Sequence, residues 1–115
     1  MVENPVNERR DYFRLDYPAA ERPTIRYKGC DYRITEVSER GIKILMDRVC
    51  TVRVGQSIAG VIRFKDGGTV SVVGVVLRCG EKEMVVELTK GISLGRMTEE
   101  QRRIRQKYPM FFDRV

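Results

Sequence analysis

A period-two alternation of apolar and polar residues runs through the middle of the chain and constrains the fold more than any other feature. Ile25 and Tyr27 alternate with polar neighbours, and several similar runs follow, separated by turn residues. Asp66-Gly67-Gly68 is the strongest hairpin signal among those turns, and Gly74 within the longest run indicates a bulge or bend. Six or seven short strands joined by tight turns in a chain of 115 residues predict a small antiparallel β-barrel over residues 24–90.

The pattern changes after Gly95. Thr98-Glu99-Glu100-Gln101 matches a capping box, and good helix formers follow it until Pro109. We therefore predict a C-terminal α-helix over residues 98–108 that plugs or caps the barrel. The expected fold class is mainly all-β, with the whole chain, residues 1–115, forming a single domain.

A polar, basic segment precedes the first strand pattern. We expect residues 1–17 to form a flexible N-terminal arm, in which Arg9, Arg10 and Arg14 lie within six residues. Guanidinium groups are planar forks of donors, so two of them can converge on a flat anionic ligand. A solvated basic arm is the alternative, and the formal net charge of +6 fits either an anionic partner or simple solubility.

Composition argues against several other functions. The chain has no histidine, and it shows neither a nucleophile motif nor a set of metal ligands, so we expect no enzyme activity and no metal or cofactor. The pairs Glu81–Glu83 and Glu99–Glu100 are interpreted as hairpin solvation and helix N-terminal charge. Cys30, Cys50 and Cys79 fit no disulfide framework or zinc site, and we interpret them as buried or half-buried thiols in a cytoplasmic protein. No apolar run is long enough to span a membrane.

Two short motifs occur in order along this pattern. Arg10-x-x-x-Arg14 precedes the first strand, and Glu36-x-Ser38-x-x-Gly41 forms a polar break after the first hairpin. Together they resemble the two signatures of the PilZ domain, Arg-x-x-x-Arg and Asp/Asn-x-Ser-x-x-Gly, over nearly the whole chain. Glu36 departs from the family pattern by one methylene, while the carboxylate is kept.

The resemblance implies that the barrel is six-stranded and that the protein is a receptor for the bacterial second messenger cyclic di-GMP. It implies that Arg10 and Arg14 bind the nucleotide from the arm, and that Arg9 favours an intercalated pair of ligand molecules. The second motif would supply Glu36 as acceptor for guanine N–H groups and Ser38 as a hydrogen-bonding hydroxyl. Gly41 would permit close backbone approach or supply a positive φ.

Three functions remain open at this point. The favoured one is a cyclic di-GMP receptor whose arm changes conformation on binding and signals to an unknown downstream protein in motility, biofilm or virulence control. The second is a PilZ-like interaction module that binds no nucleotide. The least favoured is a small-barrel RNA-binding protein, for which further basic residues supply a charged surface: Arg22, Arg26, Lys28 and Arg33.

Overall fold

The strands and helix of the computed structural model, which describes residues 14–46 and 52–113, follow the predicted order. The strands are β1 (Leu15–Asp16), β2 (Thr24–Tyr27), β3 (Cys30–Ser38), β4 (Gly41–Leu45), β5 (Ser57–Arg63), β6 (Thr69–Cys79) and β7 (Glu83–Lys90). The helix α1 covers Leu94–Lys107, and short 3-10 turns lie at Ala19–Glu21 and Pro109–Asp113.

Strands β2 to β7 close into a barrel. Their order is β3-β2-β5-β6-β7-β4, every neighbouring pair is antiparallel, and β4 pairs with β3 to complete the circle. Closure leaves no free sheet edge in these six strands. The predicted six-stranded barrel with a C-terminal helix is therefore confirmed.

Strand β1 is an additional strand that the sequence pattern did not predict. It pairs with the end of β3 through Leu15 opposite Val37 and Asp16 opposite Glu36. Leu15 and Tyr17 are buried in the core. The last part of the expected arm, residues 14–17, thus includes a strand packed on the barrel, while residues 1–13 lie outside the described part of the chain.

The inward face of the barrel carries the apolar half of the alternation. Ile25 and Ile62 are opposite one another on β2 and β5, and both are fully buried. Gly29 and Gly67 have φ values of 78° and 95° in the hairpin turns, where residues with a Cβ would be strained. A register shift lies between Val73 and Gly74, which confirms the predicted bulge.

Helix α1 begins one turn earlier than predicted. Ser93 is the N-cap, its hydroxyl accepting from the backbone N–H of Arg96 at 3.1 Å. Thr98 lies inside the first turns and donates to the Leu94 carbonyl, so the predicted capping box at Thr98 is wrong. Buried Met97 and Ile104 bring the apolar face of the helix into the barrel core.

A buried ionic network attaches α1 to the segment that follows β1. The Tyr17 hydroxyl donates to Glu100 at 2.7 Å, and Arg103 donates to both Glu100 and Glu21, the latter at 2.6 Å. Lys107 and the Tyr108 hydroxyl also bind Glu21, at 2.9 and 3.1 Å.

The network holds the carboxyl group of Glu21 in the charged state. Hydrogen bonds from Lys107, Arg103 and Tyr108 outweigh burial and lower the pKa of Glu21 to about 2. Glu100 is the seventh residue of the helix and its side chain is only 1% exposed, so its interpretation as a charge at the helix N-terminus is wrong. Burial and the hydrogen bond to Glu100 raise the pKa of Tyr17, because Glu100 would repel a phenolate.

Replacing Arg103 with Met should destabilise the protein by about 3 kcal/mol, because Glu100 and Glu21 stay buried without their shared cation. Exposed Arg102, one residue earlier, supplies the matched control: Arg102→Met should change stability by no more than about 0.5 kcal/mol. Urea unfolding followed by circular dichroism measures both. Equal stability of the two variants would show that the network contributes nothing.

Candidate functional site

The candidate site lies on the outer face of β1, β3 and β4. A bulge in β3 creates it: Ile34 lies opposite Ile44, and the register against β4 shifts before Glu36 pairs with Lys43. The inward positions therefore change from Tyr32 and Ile34 to Val37. Without the shift, strict alternation from Ile34 would place Glu36 and Ser38 toward the core.

The second motif is part of a hairpin and not the polar break that was predicted, because β3 continues through Ser38 and β4 begins at Gly41. The Ser38 hydroxyl donates to the Gly41 carbonyl at 3.3 Å across the turn. The Glu39 carbonyl accepts from Ile92 at 3.2 Å and the Arg40 carbonyl from Leu88 at 2.8 Å. The hairpin tip is thus bonded to β7 and to the start of the helical segment.

Gly91 is a supporting residue that the sequence analysis did not single out. A Cβ at this position would collide with the backbone carbonyl of Glu39. Its backbone is therefore in close approach to the hairpin tip, which fixes the tip against the end of β7. A glycine directly after a strand is the available sequence signal, but the signal does not say what approaches it.

Neither a positive φ nor a close contact within the fold requires glycine at position 41. Its φ is not positive, which removes one of the two roles expected for it. A Cβ would lie 3.4 Å from the Val86 carbonyl oxygen and 3.6 Å from the Ser38 Oγ, which are ordinary contacts. The fold itself can therefore accept alanine at this position.

Glu36 lies between an acidic and a basic neighbour on the adjacent strands. Asp16 is its partner on β1, and Lys43 on β4 forms an ion pair with it at 3.5 Å. Its side chain is only 16% exposed. Burial, followed by a hydrogen bond to Asp16, raises the pKa of Glu36, while Lys43 and Arg14 act in the opposite direction.

Arg14 is the residue of the first motif that the structure describes, and its side chain is exposed. Leu15 pairs with Val37 and Asp16 with Glu36, so continuing this register by one residue places Arg14 opposite Ser38. The end of the first motif and the centre of the second are therefore neighbours. Arg9 and Arg10 lie outside the described residues.

The described residues also test the predictions about metal binding, thiol burial and membrane-spanning segments. Within residues 14–46 and 52–113, no group of three acidic, cysteine or histidine side chains could hold a metal ion. Cys30 is half-buried and Cys79 is exposed, so the prediction of a buried or half-buried thiol is wrong for Cys79; Cys50 lies outside the described part. No helix in that part has the length and apolar character needed to cross a membrane.

Comparison with known proteins decides the family. The family model for the PilZ domain matches residues 8–108. The chain belongs to the PilZ domain family. Members of this family bind cyclic di-GMP as a ligand and not as a cofactor. No curated protein sequence matches the chain.

Solved structures share the fold at low sequence identity. The PilZ domain of YcgR from Escherichia coli with c-di-GMP is 17% identical, with a TM-score of 0.65 over 93% of this chain and 99% of that one. The Bacillus subtilis inhibitor of motility, MotI/DgrA, is 20% identical, with a TM-score of 0.64 over 89% of this chain. The chain spans 53% of the MotI chain. An uncharacterised Legionella protein, Lpg0364, is 15% identical, with a TM-score of 0.58 over 85% of this chain and 99% of that one.

The raised pKa of Glu36 predicts a specific titration. Asp16→Asn should lower the pKa of Glu36, because it removes a negative neighbour, and Lys43→Met should raise it further. Lys82→Met, an exposed change on the β6–β7 turn, is the control and should leave it in place. Carboxyl carbon NMR measures each value.

The sign of the linked stability follows from the same titration. The folded state holds the proton of Glu36 more tightly than the unfolded chain does. This contribution therefore favours folding below the ordinary pKa of 4.5 and is lost as the pH rises through the folded-state value. A Glu36 pKa at or below 4.5 in the wild-type protein would contradict the described environment.

Proposed function

We propose that this PilZ protein is a non-enzymatic, cytoplasmic receptor that binds cyclic di-GMP between Arg10 and Arg14 and the outer face of the Glu36–Gly41 hairpin. One observation carries the proposal: β1 pairs Leu15 with Val37 and Asp16 with Glu36, and this register continued by one residue sets Arg14 opposite Ser38. The register supports one ligand position shared by the two motifs. The YcgR PilZ domain, which has the same fold, is described with c-di-GMP, and this supports the same ligand for the present chain.

The chemistry of the hairpin suits an anionic guanine nucleotide. Arg14 can form charge-assisted hydrogen bonds to a phosphate or a bidentate pair with guanine O6 and N7. Its planar face can also stack on a purine. Ser38 offers a hydroxyl at the edge of the turn, and the missing side chain at Gly41 leaves room beside it.

Glu36 takes part only in its charged form, because a carboxylate accepts from guanine N1–H and N2–H₂ whereas a protonated carboxyl competes as a donor. In the free protein, burial and Asp16 favour the protonated form. Arginines closing over the ligand bring positive charge close to this group and lower its pKa. Ligand binding is therefore expected to release a proton from Glu36 where the free carboxyl is still protonated.

Closure of the arm is the proposed signal. Ordering the N-terminal residues costs conformational entropy, which the phosphate and guanine contacts must offset. The bound state then presents a different surface to a downstream protein. MotI is described as an inhibitor of motility, and control of motility, biofilm or virulence is the proposed output here. Arg9 supplies one more cation, which fits an intercalated pair of ligands.

Arg10→Ala and Arg14→Ala should each weaken cyclic di-GMP binding by about 100-fold, because each removes charge-assisted hydrogen bonds to the ligand. Exposed Arg102 lies on the helix, so Arg102→Ala is the charge-matched control and should retain wild-type affinity. Isothermal titration calorimetry gives both affinity and stoichiometry, with GTP and a single-stranded oligonucleotide as comparison ligands. Wild-type affinity in either arm variant would contradict the proposed role of that arginine.

Gly41→Ala adds a steric test in the same assay. The new methyl group makes only ordinary contacts within the fold, so the unfolding midpoint should change little. It lies beside the Ser38 hydroxyl on the ligand side, so affinity should fall at least tenfold.

Absence of any cyclic di-GMP binding by the folded wild-type protein would instead indicate the non-binding interaction module.

A further inference from the structure

A basic pocket lies at the ends of β2 and β5, beside the β5–β6 turn. Its volume is about 240 Å³. This is below the roughly 300 Å³ at which pockets for drug-sized ligands begin, and it corresponds to about eight water molecules. It therefore fits a small group and not a whole dinucleotide. The lining residues are Arg22, Thr24, Arg63, Phe64, Lys65 and Gly67.

The strand register concentrates positive charge at this pocket. Thr24 pairs with Arg33 on one side and with Arg63 on the other, so the three side chains leave the strands on the same outer face. Arg22 and Lys65 extend the row toward the barrel end. Within the described part of the chain, none of these four cations has an ion-pair partner.

The acidic residues next to Arg22 and Lys65 in sequence form ion pairs with the helix. Glu21, next to Arg22, is bound by Arg103 and Lys107 of the helix. Asp66, next to Lys65, forms a bidentate pair with Arg96 at 2.6 and 2.9 Å. The helix cations thus bind both carboxylates, and the pocket cations have no counter-charge among the residues that the structure describes.

One nitrogen of Arg22 is buried without a hydrogen-bond partner among the described residues. The Nε of Arg22 has no hydrogen-bond acceptor among the described residues and is shielded from solvent. Buried donors are normally paired, and an unpaired one is costly. No acceptor within the described residues therefore fixes this nitrogen of Arg22. Buried Phe64 also lines the pocket, so an apolar wall lies beside its cations.

The pocket is separate from the Glu36–Gly41 hairpin. Arg33 and Glu36 are three residues apart on β3, which corresponds to about 10 Å, and β5 lies two strands from β3, another 10 Å or so. The 3-10 turn at Ala19–Glu21 belongs to the connection between β1 and β2. The ligand site proposed above therefore does not account for Arg22, Arg63 and Lys65.

We propose that this pocket binds a phosphate group of a small molecule, with Arg22, Arg63 and Lys65 contacting it through their terminal nitrogens. Arginine forks match the geometry of phosphate oxygens, and lysine adds a point charge. The Thr24 side chain, on the same outer face, supplies a further donor. A ligand here would contact β2 and the β5–β6 turn, to which Arg96 attaches the helix.

Inorganic pyrophosphate is the probe, added at constant ionic strength so that general screening does not change. Amide NMR titration should shift Gly67 and its neighbours. Arg22→Gln and Arg63→Gln should each weaken pyrophosphate binding at least tenfold, whereas Arg102→Gln, which removes the same charge from the helix surface, should change it by less than twofold. Circular dichroism checks that each variant is folded, and exposed Arg63 keeps the test valid if the Arg22 variant is unstable.

An equal loss in all three variants would overturn the proposal, because it would indicate general charge attraction. The titration is repeated with saturating cyclic di-GMP: retained pyrophosphate binding supports a separate site, and its loss contradicts one. Tighter binding of a single-stranded oligonucleotide than of pyrophosphate, with a steep salt dependence, would identify a nucleic-acid surface and also overturn it. The pyrophosphate arm needs no cyclic di-GMP, so it can fail or succeed independently of the proposed receptor function.

Discussion

The barrel and the candidate site both depend on the backbone hydrogen bonding of β3. This strand pairs with β2 along its first half, with β1 along its second half and with β4 on its other edge. Because buried backbone groups must be paired, the one strand joins the closed barrel to the segment that carries the arginines. The bulge before Glu36 makes this compatible with a packed core: it keeps Val37 inside and turns Glu36 and Ser38 outward. The site is thus a consequence of how the barrel closes.

The C-terminal helix supports this arrangement from the end of the barrel. Glu21 and Tyr17 follow β1 directly, and both are held by helix residues through Arg103 and Glu100. The hairpin tip is held as well, because its carbonyls accept from β7 and from Ile92. In the proposed receptor, a hairpin fixed on two sides need not rearrange when the ligand binds, so little of the binding free energy is spent on ordering it. The same helix binds Asp66 through Arg96, so this carboxylate is not paired with the cations of the basic pocket.

Much of the fold could be predicted from local sequence. Alternation over β2, β5 and β6 reports which side chains face the core, and Asp66-Gly67 marks its turn because a positive φ suits glycine. The remaining features depend on contacts distant in sequence. Strand β1 has two residues, too few to show a period, and is defined by its pairing with β3. Glu100 resembles a solvated helix acid until Tyr17 and Arg103 are seen around it. The helix start was missed because Ser93 and Thr98 are both plausible caps, and tertiary packing of Met97 selects the earlier one.

The candidate site, like the fold, combines features visible in the local sequence with features that depend on contacts distant in sequence. Both motifs are visible in the sequence, but neither their adjacency nor the outward orientation of Glu36 follows from spacing, since each depends on the β1 register and the β3 bulge. The central claim is that the two motifs face one ligand position. Amide NMR of the wild-type protein titrated with cyclic di-GMP tests it most directly. The account predicts the largest shifts at Arg14, Ser38 and Gly41, with new protection of the preceding arm residues. Saturable binding with shifts confined to other strands, leaving the Glu36–Gly41 hairpin unchanged, would contradict it.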